Sequence, residues 1–206
     1  MLIQPPPLQP TRILAGCIAV WDEVWENPTG TIQAIEDVVA NPTLSIKWDR
    51  AMVYSTDTNM PIESTKRTNS HMNLNSAGHL SEELRQINNN YYLLLLAATE
   101  WYREYFGIVE GLYFTDSFSI LKYQTAQEYK SHYDGGSITK RVISPILYLN
   151  DDYEGGWLEF TNFNIVEKPK AGSLYIFPSN FAYRHIAHPV TEGTKYGIVT
   201  FISDQA

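Results

Sequence analysis

The sequence predicts an α+β domain in which helices come first and a sandwich or barrel of short strands follows. The amino-terminal half carries helical periodicity, most clearly in a long segment that begins after Ser81. From Asp116 onward the pattern changes to short β-prone runs separated by turn residues. Helices followed by many short strands are typical of α+β architecture. We therefore expect residues 13–206 to form one domain, with helical support and a lid segment in 13–114 and the strand core in 115–206.

The segments before residue 55 can be assigned from proline positions and apolar spacing. Residues 1–12 contain four prolines and predict a flexible proline-rich arm. Residues 13–20 are mostly apolar and predict an opening strand, and the Asn-Pro-Thr-Gly run at 27–30 predicts a turn. Apolar residues at helical spacing predict a helix over 31–40, and a further strand is expected over 51–54.

A polar segment and a long helix complete the amino-terminal half. Residues 55–80 are rich in Ser, Thr, Asn and Asp and show no clear periodicity, which predicts either disorder or a functional lid. Ser81 can cap a helix whose first turn holds Glu82 and Glu83. The apolar stripe that follows predicts one amphipathic helix of about 24 residues that buttresses a sheet and ends at Gly107.

The carboxy-terminal half predicts a series of short strands. They are expected over residues 118–123, 141–149, 157–160, 173–177, 184–190 and 196–202.

The overall composition excludes several classes of protein. The 206 residues carry a formal net charge of −8 and no basic run, which argues against a nucleic-acid surface. No apolar run is long enough for a membrane helix, and the proline-rich start is not a signal peptide. Cys17 is the single cysteine, so an internal disulfide is excluded and a cytoplasmic location is expected. The sequence does not specify an oligomeric state.

Two histidines and an aspartate offer metal-binding chemistry. Residues i and i+2 of a strand lie on the same face, so His132 and Asp134 could aim at one point, with His185 arriving from a distant strand. Two imidazoles and one carboxylate can hold a divalent iron and leave other positions open. On these residues alone, a surface turn at His132 and a satisfied buried histidine at 185 is the stronger interpretation.

The surrounding order of motifs adds a family resemblance. The chain runs HYD, then RVISPILYLNDDYEGGWLEF, then AGSLYIFPS, then HIAHPVTEGTKYGIVTF. This order is similar to that of the iron(II)/2-oxoglutarate dioxygenases, and within them to the prolyl 4-hydroxylase-like group. The resemblance is close over residues 115–203 and implies a double-stranded β-helix (jelly-roll) core behind the helical buttress.

The resemblance implies a role for five residues. His132, Asp134 and His185 would be the iron ligands and catalytic centre. Lys195 would pair with the distal carboxylate of 2-oxoglutarate, and Tyr123 would donate a hydrogen bond to the same group. The implied cofactors are Fe(II), 2-oxoglutarate and O2, and ascorbate is allowed as a reductant.

The resemblance also bears on neighbouring alternatives. His188 is the rival third ligand, but it should point to the opposite strand face, and only His185 stands in the H-x3-P-V context. Related halogenases replace the aspartate with a small residue, so Asp134 favours hydroxylation. Arg67, in the polar segment, and Arg141 match arginines that face substrate in prolyl hydroxylases.

The expected reaction is hydroxylation of a peptidyl residue such as proline, with succinate and CO2 as co-products. Departures from the family pattern at Ala126, Leu158, Phe201 and Ser203 weaken the peptide and prolyl assignment. The alternatives are a hydroxylase of a free amino acid or another small molecule, and a catalytically silent jelly-roll that only binds.

Overall fold

The computed structural model describes residues 7–54, 60–114, 116–136 and 140–204. Its helices are α1 (Pro28–Ala40), α2 (Leu74–Gly78) and α3 (Glu82–Tyr105), with a single 3₁₀ turn at Phe181–Tyr183. None of these described helices is both long and apolar enough to cross a membrane.

The strands are short, as the turn-rich sequence predicts. They are β1 (Arg12–Leu14), β2 (Ile18–Trp21), β3 (Asp49–Arg50), β4 (Val53–Tyr54), β5 (Pro61–Ile62), β6 (Ser70–Asn73), β7 (Ser119–Gln124), β8 (Tyr129–His132), β9 (Arg141–Tyr148), β10 (Glu154–Gly155), β11 (Leu158–Phe160), β12 (Ile165–Glu167), β13 (Ser173–Pro178), β14 (His185–Ala187), β15 (Val190–Glu192), β16 (Thr194–Val199) and β17 (Ile202–Ser203).

Two antiparallel sheets face each other. Within the described residues, the larger sheet has the order β1-β2-β13-β9-β16-β7-β6-β3, with β17 also paired to β9. The smaller sheet has the order β12-β11-β14-β8. Phe160 of the smaller sheet packs edge-to-face on Phe177 of the larger one, with ring centroids 4.9 Å apart. The predicted sandwich core is therefore confirmed.

Strand β13 shows how the larger sheet separates two layers of core. Tyr175 and Phe177 point between the sheets, where they pack with Phe160. Leu174 and Ile176 point to the opposite face and join the cluster that includes the helices. All four side chains are fully buried, because a strand covered on both faces alternates between two apolar environments.

Helix α3 is the buttress that the apolar stripe predicts. Ser81 caps it by accepting a hydrogen bond from the Leu84 amide at 3.3 Å. Leu84, Tyr91 and Leu95 are fully buried against the larger sheet. The Tyr91 hydroxyl also donates to the carbonyl of Ile198 in β16, 3.1 Å away, so the helix is attached directly to a central strand.

Three predictions for the first half need correction. The expected opening strand over 13–20 is a hairpin, because Ala15 and Gly16 have positive φ angles of 44° and 76° and turn the chain between β1 and β2. The expected turn at 27–30 is the start of α1, since Asn27 caps the helix and Pro28 occupies its first position. Only the second half of the strand expected over 51–54 forms, as β4, and a separate strand, β3, lies just before the expected range.

The polar segment and the amino-terminal arm are more structured than their compositions predict. Residues 60–80 contain β6, which pairs with β7, so this polar segment adds a strand to the larger sheet; residues 55–59 lie outside the described part. The backbone amide of Leu8 donates to Ala97 at 3.2 Å, and Trp21 Nε1 donates to the Leu8 carbonyl at 2.8 Å. The described part of the arm is therefore docked, and residues 1–6 are outside the described part.

Candidate active site

His132 and His185 are cross-strand partners on the smaller sheet. They are paired in the register of β8 with β14, and their ring centroids lie 4.2 Å apart. Asp134 follows in the bend after β8, with Oδ1 3.5 Å from His132 Nε2 and Oδ2 3.7 Å from His185 Nε2. One ligand atom from each of the three residues lies within 4.8 Å of the others. The structure therefore brings together the three predicted ligands.

The reason for this convergence differs from the predicted one. Strand β8 ends at His132, so Asp134 does not share a strand face with it. The loop after Asp134 is instead fixed by the Gly135 amide, which donates to the Ser179 carbonyl at 2.7 Å. A Cβ on Gly135 would lie 2.9 Å from that oxygen and 3.0 Å from the Arg141 carbonyl, so the close approach requires glycine.

The hydrogen bonds of the two imidazoles leave their Nε2 atoms free for a ligand. His132 Nδ1 lies 2.7 Å from the Lys130 carbonyl, and His185 Nδ1 lies 3.0 Å from the Tyr183 carbonyl. A carbonyl oxygen only accepts, so both Nδ1 atoms carry the hydrogen and both Nε2 atoms carry a lone pair. This is the tautomer that a metal-binding histidine needs.

The electrostatics of the cluster favour a cation between these atoms. Burial lowers the pKa of His185 to about 4, with His132 adding to the effect, so the His185 imidazole is neutral at pH 7. Burial opposes ionisation of Asp134, but the neighbouring His185 and His132 outweigh it and hold the pKa of this carboxyl well below its usual range.

One oxygen of the Asp134 carboxylate also lacks a hydrogen-bond partner. Its Oδ2 atom is buried, and no described group donates a hydrogen bond to it. A buried unpartnered carboxylate oxygen beside two free imidazole nitrogens fits a first-row divalent metal such as iron. Three protein ligands would leave further coordination positions open.

Lys195 and Tyr123 form a second polar group in the same cavity. They are cross-strand partners between β16 and β7, and both are buried. Lys195 Nζ donates to the Gly156 carbonyl at 2.5 Å and lies 5.0 Å from the ring centroid of Tyr148. No described carboxylate pairs with it.

Burial sets the ionisation of this second group. Burial lowers the pKa of Lys195 to about 7 and raises that of Tyr123 to about 12. The phenol therefore remains a hydrogen-bond donor at neutral pH. An unpaired buried ammonium beside a buried phenol can bind a carboxylate, which would satisfy both groups.

One cavity of about 490 Å³ connects the two groups. Its apolar wall includes Leu121, Ile146, Leu158 and Val199, which come from both sheets. Leu158 is one of the residues at which the sequence departs from the family pattern.

The predicted substrate residues Arg67 and Arg141 both line the cavity. Arg67 lies over the Tyr129 ring, with its guanidinium carbon 4.9 Å from the centroid. Arg141 pairs with Asp116 at 2.5 Å and lies 3.7 Å from the ring centroid of Phe201.

His188 lies outside the cluster. Its Nε2 atom is 2.6 Å from Glu159 Oε2, so its side chain already has a partner.

Sequence reasoning missed two residues beside the cluster, Tyr129 and Arg184. Tyr129 stacks on the His132 ring with centroids 3.4 Å apart, and Arg184 lies over Tyr133 at 5.1 Å. Tyr129 could have been found from its position three residues before His132, whereas Arg184 carries no motif.

The facing sheets carry a His-Asp-His cluster that could hold a metal ion, an arrangement that can be compared with known proteins. Residues 118–203 match the family model of the 2OG-Fe(II) oxygenase superfamily. A probable prolyl 4-hydroxylase of Arabidopsis thaliana is 32% identical over 119 residues, a match that covers 44% of this chain and 41% of the plant protein. The chain thus spans less than half the length of that relative.

Solved structures agree on the fold. A prolyl hydroxylase of Trichoplax adhaerens, solved with a peptide of the hypoxia inducible factor oxygen degradation domain, matches with TM-score 0.67 and 15% identity, over 93% of this chain and 85% of that one. The viral collagen prolyl hydroxylase of Paramecium bursaria Chlorella virus-1 matches with TM-score 0.57 and 16% identity, over 91% and 96%. The predicted double-stranded β-helix is therefore confirmed. Residues 118–203 are thus similar to the 2OG-Fe(II) oxygenase superfamily, and the plant relative extends the resemblance to prolyl 4-hydroxylases.

Proposed function

We propose that the protein hydroxylates a peptidyl residue such as proline, using Fe(II), 2-oxoglutarate and O2 and releasing succinate and CO2. The observation that carries the proposal is the pairing of two polar groups in one cavity. His132, Asp134 and His185 present free ligand atoms, and Lys195 with Tyr123 presents an unpaired site for a carboxylate. The choice of a peptidyl proline as substrate is supported by two similar proteins, the plant prolyl 4-hydroxylase and the Trichoplax prolyl hydroxylase with its bound peptide.

The chain's own residues would hold and orient the reactants. His132 and His185 would bind the iron through Nε2, and Asp134 would be the third protein ligand. Lys195 and Tyr123 would bind the distal carboxylate of 2-oxoglutarate. When bound, the iron and its co-substrate supply the oxidation that inserts oxygen into a C–H bond of the substrate.

The surrounding apolar residues would keep the cavity dry. Leu121, Leu158 and Val199 are buried in its wall and limit the water that can reach the iron face. Exclusion of water strengthens the electrostatic interactions of Asp134 and Lys195 with the bound groups and suppresses side reactions. Ascorbate as a reductant stays a prediction.

The proposal is tested by iron binding and by conversion of 2-oxoglutarate to succinate. We expect the wild type to bind Fe(II) under anaerobic conditions and to release succinate when O2 is admitted, slowly without substrate and faster with it. Asp134→Ala should lose both properties because it removes one of three ligands. His188→Ala is the matched control, since His188 is paired with Glu159 outside the cluster and its loss should change neither.

The peptidyl part is tested by mass spectrometry of candidate substrates. Incubation of proline-containing peptides with Fe(II), 2-oxoglutarate and O2 should give a product heavier by one oxygen atom. A product formed from free amino acids and never from peptides would instead support the small-molecule alternative. A wild type that binds neither iron nor 2-oxoglutarate would support the silent binding module.

A further inference from the structure

The cavity carries a charge opposite to that of the chain. The whole protein has 15 Lys and Arg against 23 Asp and Glu, for a net charge of −8. The described cavity lining reverses this ratio, with one carboxylate, that of Asp134, and six cations: Lys66, Arg67, Lys130, Arg141, Arg184 and Lys195. Cavities lined by one sign of charge focus the field and attract ligands of the opposite sign.

Three of these six cations already have a function or a partner. Lys195 is assigned above to the co-substrate. Arg141 is held by Asp116 at 2.5 Å, and Lys130 lies 3.6 Å from a carboxylate oxygen of Glu128. The Asp134 carboxylate and the Lys195 ammonium would balance a divalent iron and a dianionic co-substrate, so that these four groups carry no net charge. The charges of the other three cations would remain uncompensated.

Arg67 and Arg184 are the two uncompensated arginines, and both line the cavity that holds the His-Asp-His cluster. Arg67 is half-buried, donates through Nε to Asn69 Oδ1 at 3.0 Å and lies over Tyr129, which in turn stacks on His132. Arg184 is half-buried and precedes His185 directly. Neither guanidinium has a carboxylate partner among the described residues.

The stacking holds both guanidinium groups in place without neutralising them. A guanidinium on an aromatic face keeps its charge and its in-plane donors, which match a carboxylate in bidentate geometry. Arg67 uses one of its donors on Asn69, and no other described side chain accepts from its guanidinium, so further donors can serve a ligand. Arg67 lines the cavity directly, so its charge is available to a ligand there.

We propose that the substrate is anionic, and that Arg67 and Arg184 bind a carboxylate of the substrate beside the atom to be hydroxylated. This inference rests on the proposed function and narrows its substrate class. The carboxylate could belong to an Asp or Glu side chain of a peptide, or to a free acidic amino acid. Both sources present the same group to the two arginines, and the experiment separates them.

The test measures binding in the absence of turnover. The protein is loaded with Fe(II) and 2-oxoglutarate without O2 and dialysed against two peptide pools of equal length, one containing Asp and Glu and the other Asn and Gln at the same positions. A parallel arm compares free aspartate and glutamate with asparagine and glutamine. We expect the acidic form to bind about 10- to 100-fold more tightly in one arm, as a charge-assisted pair requires.

The variants assign that preference to the two arginines. Arg67→Gln and Arg184→Gln should each reduce the acid-to-amide ratio by about tenfold or more while leaving binding of the amide form unchanged, which also shows that the variants are folded. Arg67→Lys should restore part of the ratio because it keeps the charge. Arg103→Gln is the matched control, because Arg103 is paired with Glu100 on α3 away from the cavity.

Two outcomes would overturn the inference. Equal binding of acidic and amide forms in both arms would show that the cavity does not select a carboxylate. A preference that survives both glutamine variants would show that other groups create it. Succinate release in the absence of substrate tests the proposed function separately. If the protein releases succinate but does not prefer acidic substrates, the anionic substrate class is refuted and the proposed function still stands.

Discussion

Lys195 is the residue whose environment departs most from what its type predicts. Lysine is seldom fully buried without a partner, yet this side chain is 3% exposed. Among the described residues, its ammonium donates to the Gly156 carbonyl and lies near aromatic faces, with no carboxylate partner. The family motif could single out Lys195 as the candidate residue for co-substrate binding. It could not predict that burial would bring the ammonium close to deprotonation at neutral pH.

The pKa of about 7 for Lys195 predicts a pH dependence for 2-oxoglutarate binding. Burial has lowered this pKa, so the ammonium that the carboxylate needs is present below about pH 7 and is lost above it. The apparent Kd should therefore rise about tenfold per pH unit between pH 7.5 and 9, and binding should take up a proton. Anaerobic calorimetry in two buffers of different ionisation enthalpy measures both effects.

The control for this prediction is Lys195→Arg, because arginine stays charged throughout the range and should give a flat profile. Lys195→Ala should weaken 2-oxoglutarate at every pH while leaving the iron bound. A wild-type profile that stays flat to pH 9 would contradict the assigned role of Lys195.

At the scale of elements, the site depends on turns as much as on strands. The Gly155-Gly156 turn at the end of β10 supplies the carbonyl that fixes Lys195. Gly155 has a φ of +69°, and a Cβ there would lie 2.5 Å from the Pro189 carbonyl, so this position requires glycine for two reasons. One is backbone conformation and the other is the close approach of the strand that follows His188.

These two reasons can be separated by a pair of substitutions. Gly155→Ala should cost about 3 kcal/mol of unfolding free energy or more, since it adds a backbone clash to the cost of a left-handed residue. Gly107→Ala should cost only about 1 kcal/mol, because Gly107 has a similar φ of +64° but no atom within 4 Å of the added Cβ. Urea unfolding measures both, and equal losses would remove the steric argument.

Elements with strong apolar patterns were predictable, and polar ones were not. Helix α3 and strands β9 and β13 are buried on one or both faces, so their periodicity reports their structure. Strand β8 reads Tyr-Lys-Ser-His and β6 reads Ser-His-Met-Asn, which lack this signal. Both are placed by pairing with another strand, β8 with β14 and β6 with β7, which a local pattern does not show. The predicted ligands were confirmed as neighbours, although the strand argument for Asp134 was wrong.

At the scale of the whole molecule, the site joins parts that are distant in sequence. The candidate ligands come from β8, the bend after it and β14, and the candidate co-substrate residues come from β7 and β16. Residue type and motif order could predict these two sets. The partners of the surrounding cations could not be predicted. Arg141 pairs with Asp116 and Arg184 lies over Tyr133, and both contacts depend on how the chain packs in three dimensions.

This arrangement predicts that metal binding stabilises the fold. The ligand atoms converge only in the folded protein, so binding stabilises it by RT ln(1 + [L]/Kd), about 2.7 kcal/mol at 100 times the Kd. For a domain of this size that is a rise in Tm of roughly 5–10 °C. Differential scanning calorimetry with anaerobic Fe(II), or with Mn(II) as a redox-stable substitute, measures it.

One substitution inside the cluster and one outside it show whether the predicted metal site causes the rise in Tm. His185→Ala removes one of the two imidazoles and should abolish most of the shift, although the variant's own Tm in the absence of metal will also change. His188 lies three residues further along the chain, and its side chain is paired with Glu159. His188→Ala should therefore keep the full metal-induced rise in Tm. If His188→Ala lost the rise in Tm and His185→Ala kept it, the third ligand would be His188 and not His185. An equal rise in both variants would mean that the metal binds elsewhere on the chain.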